Sequence, residues 1–376
     1  MQSPNRRYLP AIDHLRALAA LLIFYYHAYQ LTYWDQVYHR LPTATEWIHS
    51  TQFFMATLIE GHTAVSLFLV ISGFILTYGS LDSELNVKKF FANRALRILP
   101  LLGAVMLIGT WMLNYTDLIL FLQRLTPLGG GLDLGPWTGV AWSLAIEAQL
   151  YLMFPFIHAA LRRGSVSVPL KILALTYLLR LGGLAAGVTL VNLTYWTTLG
   201  HIEQFLAGAV AAAVVRRYPP GRWLGWLAPV WVLGIFAVLH EYHLLGGFHV
   251  DAWWRIFFPT VEAIMWTGLV VTWLEASRAL PAFVSSVIKY VGEISYSIYL
   301  LHYPIVFILV NRHWYFKPED LTKGILLSAT FIYLPAVLFA SWLTYTLIEK
   351  PFLDLRRRYV SASLVPPSLR ATVEES

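Results

Sequence analysis

Segments of about 20 mostly apolar residues recur along this chain with little polar sequence between them, and that pattern constrains the fold more than any other feature. A helix of about 20 residues crosses the hydrocarbon core of a bilayer. Inside it, only helices and closed barrels satisfy all their backbone polar groups. Ten segments qualify, centred on residues 15–33, 63–81, 98–116, 140–161, 169–191, 198–215, 223–243, 256–274, 290–310 and 325–347. The expected fold is therefore all-α: a polytopic integral membrane protein with about ten transmembrane helices. The composition agrees, with 57% of the 376 residues hydrophobic and 13% charged. "HSTQFFMATLIE", residues 49–60, is apolar but too short to cross and reads as an interfacial helix. Cysteine is absent, which excludes a disulfide framework, a thiolate zinc site and a cysteine nucleophile. The first apolar run follows Arg6 and Arg7 and offers no small-residue cleavage site, so it reads as a span and not a signal peptide.

The net charge of +6 is topological. With the N-terminus placed in the cytoplasm, the inner segments hold 17 Lys and Arg residues, among them Arg94, Arg97, Arg162, Arg163, Arg216 and Arg217. The outer segments hold 6: Arg40, Arg124, Arg255, Arg312, Lys317 and Lys323. The positive-inside rule then puts both termini in the cytoplasm and removes any need for a nucleic-acid partner. No repeat or long polar insertion marks a second domain, so residues 1–358 form one transmembrane domain and 359–376 a short polar cytoplasmic tail. Tyr33, Trp34, Trp47, Trp196, Trp253, Trp254, Trp314 and Tyr315 fall in the outer loops, either as an interfacial belt or as stacking surfaces for a sugar. Two sequons, Asn114 to Thr116 and Asn192 to Thr194, are outside in this topology; such short matches are common by chance.

Ionisable groups within spans are costly and mark functional candidates. Here they are Arg16, His27, Glu147, Arg180, Glu203, Glu262 and His302. Arg16 and His27 are 11 residues apart, which brings them to one helix face about 16 Å apart along the axis. Histidine can remove a hydroxyl proton near neutrality; the alternative is that Arg16 snorkels and His27 bonds a neighbouring helix. Arg94 and Arg97, at i and i+3, can form a forked phosphate clamp or be ordinary positive-inside arginines. Glu147 is either part of the chemistry or in a structural ion pair with Arg16 or Arg180. Ser295 and His302 are two turns apart, but with no orienting acid in view they read as packing residues.

Taken in order, these stretches resemble the acyltransferase-3 family of membrane-bound O-acyltransferases, from about Tyr8 to Phe352. The resemblance rests on Arg16-x10-His27, "FLVISGFIL" at 68–76, Arg94-x-x-Arg97 and "WSLAIEAQLYLMFP" with Glu147. It continues through "HIEQFLAGAVAA" with Glu203 and Gly208, "ISYSIYLLHYP" with His302 and Pro304, and "LIEKPF" with Glu349 and Pro351. It implies an acyl-CoA donor, commonly acetyl-CoA, with no metal, and a hydroxyl acceptor, often a carbohydrate of the bacterial cell envelope, met at the inner membrane. On that reading His27 is the base or a transient acyl carrier, Arg16 places the donor or stabilises negative charge, Glu147 orients or electrostatically supports the site, and Arg94 and Arg97 hold the CoA phosphates. Many members add a soluble esterase-like domain; without one, the acceptor would bind the membrane domain or a separate partner. The competing expectation is a proton-coupled transporter or lipid-linked sugar flippase, which would move a substrate without consuming acyl-CoA.

Overall fold

The computed structural model describes residues 9–39, 47–113 and 139–360. Arg6, Arg7, Arg40, Arg124, the Asn114 to Thr116 sequon and the tail beyond residue 360 lie outside the described residues. Among the described residues the chain is helical, with one isolated antiparallel bridge between Leu85 and Val360. The helices are α1 (Pro10–Tyr38), α2 (Phe53–Ile59), α3 (Ala64–Ser80), α4 (Val87–Leu113), α5 (Trp142–Arg162), α6 (Ser167–Ala185), α7 (Leu190–Tyr195), α8 (Ile202–Arg217), α9 (Ala228–Leu244), α10 (Phe258–Ala276), α11 (Ala282–Glu293), α12 (Ser295–Asn311) and α13 (Leu321–Asp354).

Among the described residues, six helices are long and apolar enough to cross a membrane: Gly61–Ser80, Val87–Gly109, Trp142–Arg162, Ser167–Ala185, Arg222–Leu244 and Leu321–Asp354. The pair α11 and α12, bent by 64°, makes a seventh if counted as one span. The segments expected at 15–33, 198–215 and 256–274 are helical too, as α1, α8 and α10, but fall outside that set. They are the more buried helices of the bundle: α1 buries 16 of its 29 residues and α10 nine of its 19. α8 buries ten of its 16 residues, while α6, on the periphery, buries only Pro169, Thr176 and Arg180. Polar groups therefore accumulate on the inner set, and exposed apolar side chains such as Leu107, Phe156 and Phe331 on the outer.

α1 is the axis of the bundle and packs against α3, α11 and α12. Pro10 opens it, because a fixed φ and a missing N–H suit the first helical position. Asp13 in the first turn complements the helix dipole. Two glycines explain another pair of motifs. A Cβ on Gly73 of α3 would come within 2.0 Å of the Phe205 carbonyl oxygen, and one on Gly208 of α8 within 2.0 Å of the Val70 oxygen. Each glycine thus lets the other helix's backbone approach, as in small-residue packing between membrane helices. α13 is interrupted by π turns at Ala329–Tyr333 and Tyr345–Glu349; the second brings Tyr345 and Glu349 to the site described next. The expected interfacial helix is α2, which exposes Phe54.

Candidate active site

A cavity of about 180 Å³ opens beside the first half of α1, walled by α1, α3, α4, α5, α12 and α13. Four guanidiniums line it: Arg16, Arg94, Arg97 and Arg356. They differ in how they are neutralised. Arg16 donates to Asp13 Oδ1 at 2.9 Å, one turn back on α1, and Arg97 donates to Glu349 Oε1 at 2.7 Å. Arg94 lies 5.8 Å and 5.6 Å from the ring centroids of Phe90 and Tyr151 and makes no carboxylate pair among the described residues. Among the described residues, the Arg356 side chain donates only to the Leu353 carbonyl, at 2.9 Å. Burial and then the guanidiniums of Arg97, Arg94 and Arg16 pull Arg356 down from the usual arginine range to about 10. Such crowding of cations is relieved by a multivalent anion, and forked guanidiniums suit phosphate.

Glu147 also lines the cavity. Its Oε1 accepts from Ser72 Oγ at 2.6 Å and from the Tyr151 hydroxyl. Of the two alternatives for Glu147, the structural ion pair with Arg16 or Arg180 is not formed; these neutral donors hold the carboxylate instead. Arg180 instead pairs with Glu203 at 2.5 Å and donates to the Ile256 carbonyl at 2.8 Å, fastening α6, α8 and the start of α10 together. Glu262 accepts from Gln204 Nε2 at 3.2 Å. These three side chains belong to the bundle's internal polar network, away from the arginine cavity.

Arg16 lines the cavity, and His27, three turns further along α1, lies beyond it. Tyr299 and Phe68 form the partition, with ring centroids 5.7 Å apart, and Tyr299 is pinned by Ser143 Oγ at 2.6 Å and the Val140 carbonyl at 2.8 Å. On the far side, His27 Nδ1 and His302 Nε2 are 2.9 Å apart, and His302 Nδ1 is 3.1 Å from the Ile298 carbonyl oxygen. The carbonyl can only accept, so His302 carries its proton on Nδ1 and, being neutral, presents a lone pair at Nε2. His27 must then donate from Nδ1, which leaves its basic lone pair on Nε2. Tyr26 and Tyr303 flank the His27 ring at 4.6 Å and 4.9 Å. His302, read above as a packing residue, is thus the group that sets the tautomer of His27.

The loop aromatics divide. Trp253 and Trp314 are exposed, as a belt would be, whereas Trp47 is buried and stacks near Tyr26 and His249. In the second sequon Thr194 is buried, its hydroxyl donated to the Leu190 carbonyl.

This geometry, an anion-binding cavity and an oriented imidazole on one helix of a membrane bundle, defines a candidate group-transfer site. Residues 9–346 match the acyltransferase-3 family, described as an acyltransferase domain, and the chain belongs to that family. It is similar to the "O-acetyltransferase OatA" of Staphylococcus aureus (strain NCTC 8325 / PS 47), 23% identical over 358 residues, covering 84% of this chain and 53% of that protein. It is also similar to the "Putative O-acetyltransferase SACOL0978" of Staphylococcus aureus (strain COL), 22% identical over 399 residues, 92% of this chain and 57% of that one. The chain thus spans little more than half the length of these relatives. No solved structure gives a significant match.

Sequence reasoning missed Arg356 as a cavity residue, Asp13 as the partner of Arg16, and Ser72 and Tyr151 as the donors to Glu147. Asp13 had a local signal, three residues before an arginine on one helix face. The others depend on packing between distant segments and had none.

Proposed function

We propose that this chain is an integral-membrane O-acyltransferase, moving an acyl group, acetyl in the simplest case, from cytosolic acyl-CoA to a hydroxyl of a carbohydrate or other cell-envelope acceptor. In this reading it lies in a bacterial inner membrane with ten spans and both termini in the cytoplasm. The ten are the six apolar helices, the bent pair, and the inner helices α1, α8 and α10. The observation that carries the proposal is the division of α1 between an arginine-lined cavity and, about 16 Å along the axis, an imidazole whose free lone pair is fixed by a second imidazole.

Phosphates of the donor bind Arg94 and Arg356, the two cavity guanidiniums without a carboxylate partner among the described residues, with Arg97 and Arg16 adding charge. The pantetheine arm then passes Phe68 and Tyr299 towards His27. As the acceptor oxygen attacks the thioester carbonyl, its proton goes to His27 Nε2, the C–S bond breaks and the thiolate leaves. The imidazolium passes its Nδ1 proton towards His302 Nε2. Glu147, held by Ser72 and Tyr151, keeps the cavity wall polar without cancelling Arg94. The same lone pair allows one other role, that of a transient acyl carrier.

Purified protein given acetyl-labelled CoA and envelope fragments should release CoA and leave alkali-labile label on the acceptor. Transport of an unmodified solute with no CoA release would overturn the proposal in favour of a carrier.

A further inference from the structure

A second buried group of titratable side chains lies outside the machinery just described. Glu60, at the end of α2, is fully buried, and each of its carboxylate oxygens accepts from a histidine: Oε1 from His243 Nδ1 at 2.7 Å, Oε2 from His62 Nε2 at 2.9 Å. Burial alone would raise this carboxyl; the two imidazole donors reverse that and hold it at about 2, so Glu60 is anionic. His243 is saturated, because its Nε2 accepts the Ser50 N–H at 3.1 Å. His62 is not. Its Nε2 is committed to Glu60, and its Nδ1 is buried without a partner on a side chain 3% exposed. Buried polar atoms are almost always satisfied, so an orphaned lone pair calls for a ligand that donates to it.

The surroundings narrow that ligand. Rings of Tyr26, Tyr195 and Phe248 pack around His62 at centroid distances of 5.6, 5.1 and 5.3 Å. The Tyr26 ring packs against both His62 and, at 4.6 Å, His27, so the two imidazoles share one aromatic neighbour. The adjacent Glu60 carboxylate repels anions. The two imidazoles address different oxygens of one carboxylate, and no group of side chains among the described residues is arranged to hold a metal ion. An uncharged hydroxyl flanked by C–H faces that pack on aromatic rings fits: the chemistry of a sugar. Phe248 covers this place from a turn whose Gly246 and Gly247 have φ of 99° and 55°.

We infer that His62, oriented by Glu60, is an acceptor-binding residue whose Nδ1 receives a hydrogen bond from a hydroxyl of an uncharged, sugar-like acceptor and holds it beside His27. This rests on the reading that the chain acylates an acceptor hydroxyl.

The test compares wild type with His62→Gln, which keeps an N–H donor for Glu60 where Nε2 stood but removes the lone pair. Envelopes of cells expressing each protein are assayed for alkali-labile acetate, and the purified proteins for CoA affinity and thermal midpoint. The expected result is a loss of at least tenfold in envelope acetate with CoA affinity and midpoint unchanged. His62→Met, which keeps the bulk of the ring without a strong hydrogen-bond acceptor, should lose envelope acetate in the same way and serves if the glutamine variant misfolds. Wild-type acetate levels in either folded variant overturn the inference. So does loss of CoA affinity along with acetate, or loss of the folded state in both variants, since His62 would then be a packing residue. Absence of acetate or CoA binding in the wild type instead defeats the proposed acyl transfer itself.

Discussion

The two halves of α1 handle polar groups in an apolar bundle in opposite ways. Around Arg16 the groups are charged: four guanidiniums share a cavity, two held by carboxylates and two without a carboxylate partner among the described residues. Around His27 the helix carries no formal charge, and a chain of neutral hydrogen bonds runs from His27 through His302 to the Ile298 carbonyl. Charge holds a polyanion well but moves protons poorly; a neutral, oriented imidazole does the reverse. Binding and chemistry are thus separable, and substitutions at the two ends should have separable effects.

The largest effect should come from His27. Proton removal by a positioned base contributes about 10² to 10⁴-fold in rate, so His27→Ala should lose acyl transfer to that degree while CoA affinity stays at the wild-type value. The tautomer sharpens the choice of variant. His27 donates from Nδ1, so His27→Asn places an N–H near that position and keeps the bond to His302, whereas His27→Gln puts its amide where the lone pair was. Both should be inactive, with Asn the better folded. Near-normal turnover in either would reduce His27 to a structural hydrogen-bonding residue.

Next in size are the arginines. A charge-assisted hydrogen bond contributes about 1.5 to 3 kcal/mol, so Arg94→Ala or Arg356→Ala should weaken CoA binding by about ten- to a hundredfold, with Lys restoring only part. Arg97→Ala should weaken it less directly, because its guanidinium is already spent on Glu349, which the substitution leaves unpaired. Titration calorimetry in detergent separates the three. The displaced Arg356 adds a pH signature: its folded-state value of about 10 is below the ordinary arginine value, so it loses its charge first as pH rises. CoA affinity should be flat from pH 7 to 9 and fall through pH 10 in the wild type. In Arg356→Ala that fall should be absent; a flat wild-type curve would separate Arg356 from the donor.

The division of α1 was half legible in the sequence. The common face of Arg16 and His27 follows from helix geometry, since 11 residues at 100° each nearly close three turns. The Arg94 and Arg97 pair is equally local. What the pattern could not show is which cations are already neutralised, because Glu349 reaches Arg97 across 252 residues and Arg356 enters from the end of the last helix. The imidazole pair bridges 275 residues, and the π turn that delivers Glu349 has no local signature here. The span pattern was legible only in part: α1, α8 and α10 are helical where spans were expected, but α8 is only 16 residues long and α1 and α10 carry the polar groups of the interior, so they stand apart from the long apolar helices. Glu60 and His62 sat at the edge of a stretch read as interfacial, with His243, their partner in the cluster, 181 residues beyond His62 in sequence.

The smallest effect expected, and the one that tests the tautomer argument most directly, is at His302. If His302 only fills space, a large apolar replacement such as His302→Leu should leave turnover and its pH dependence unchanged apart from a loss of stability. If it fixes the proton on His27 Nδ1, losing one neutral hydrogen bond, about 0.5 to 1.5 kcal/mol, should lower turnover by about two- to tenfold, leave CoA affinity untouched, and move the pH profile of turnover. His302→Gln, whose amide oxygen can accept from His27, should recover most of the rate. Equal turnover and equal pH profiles for wild type, His302→Leu and His302→Gln would return His302 to the packing role its surroundings of small and hydroxylated residues first suggest. His27 would then owe its orientation to the Ile23 backbone and to the Tyr26 and Tyr303 rings.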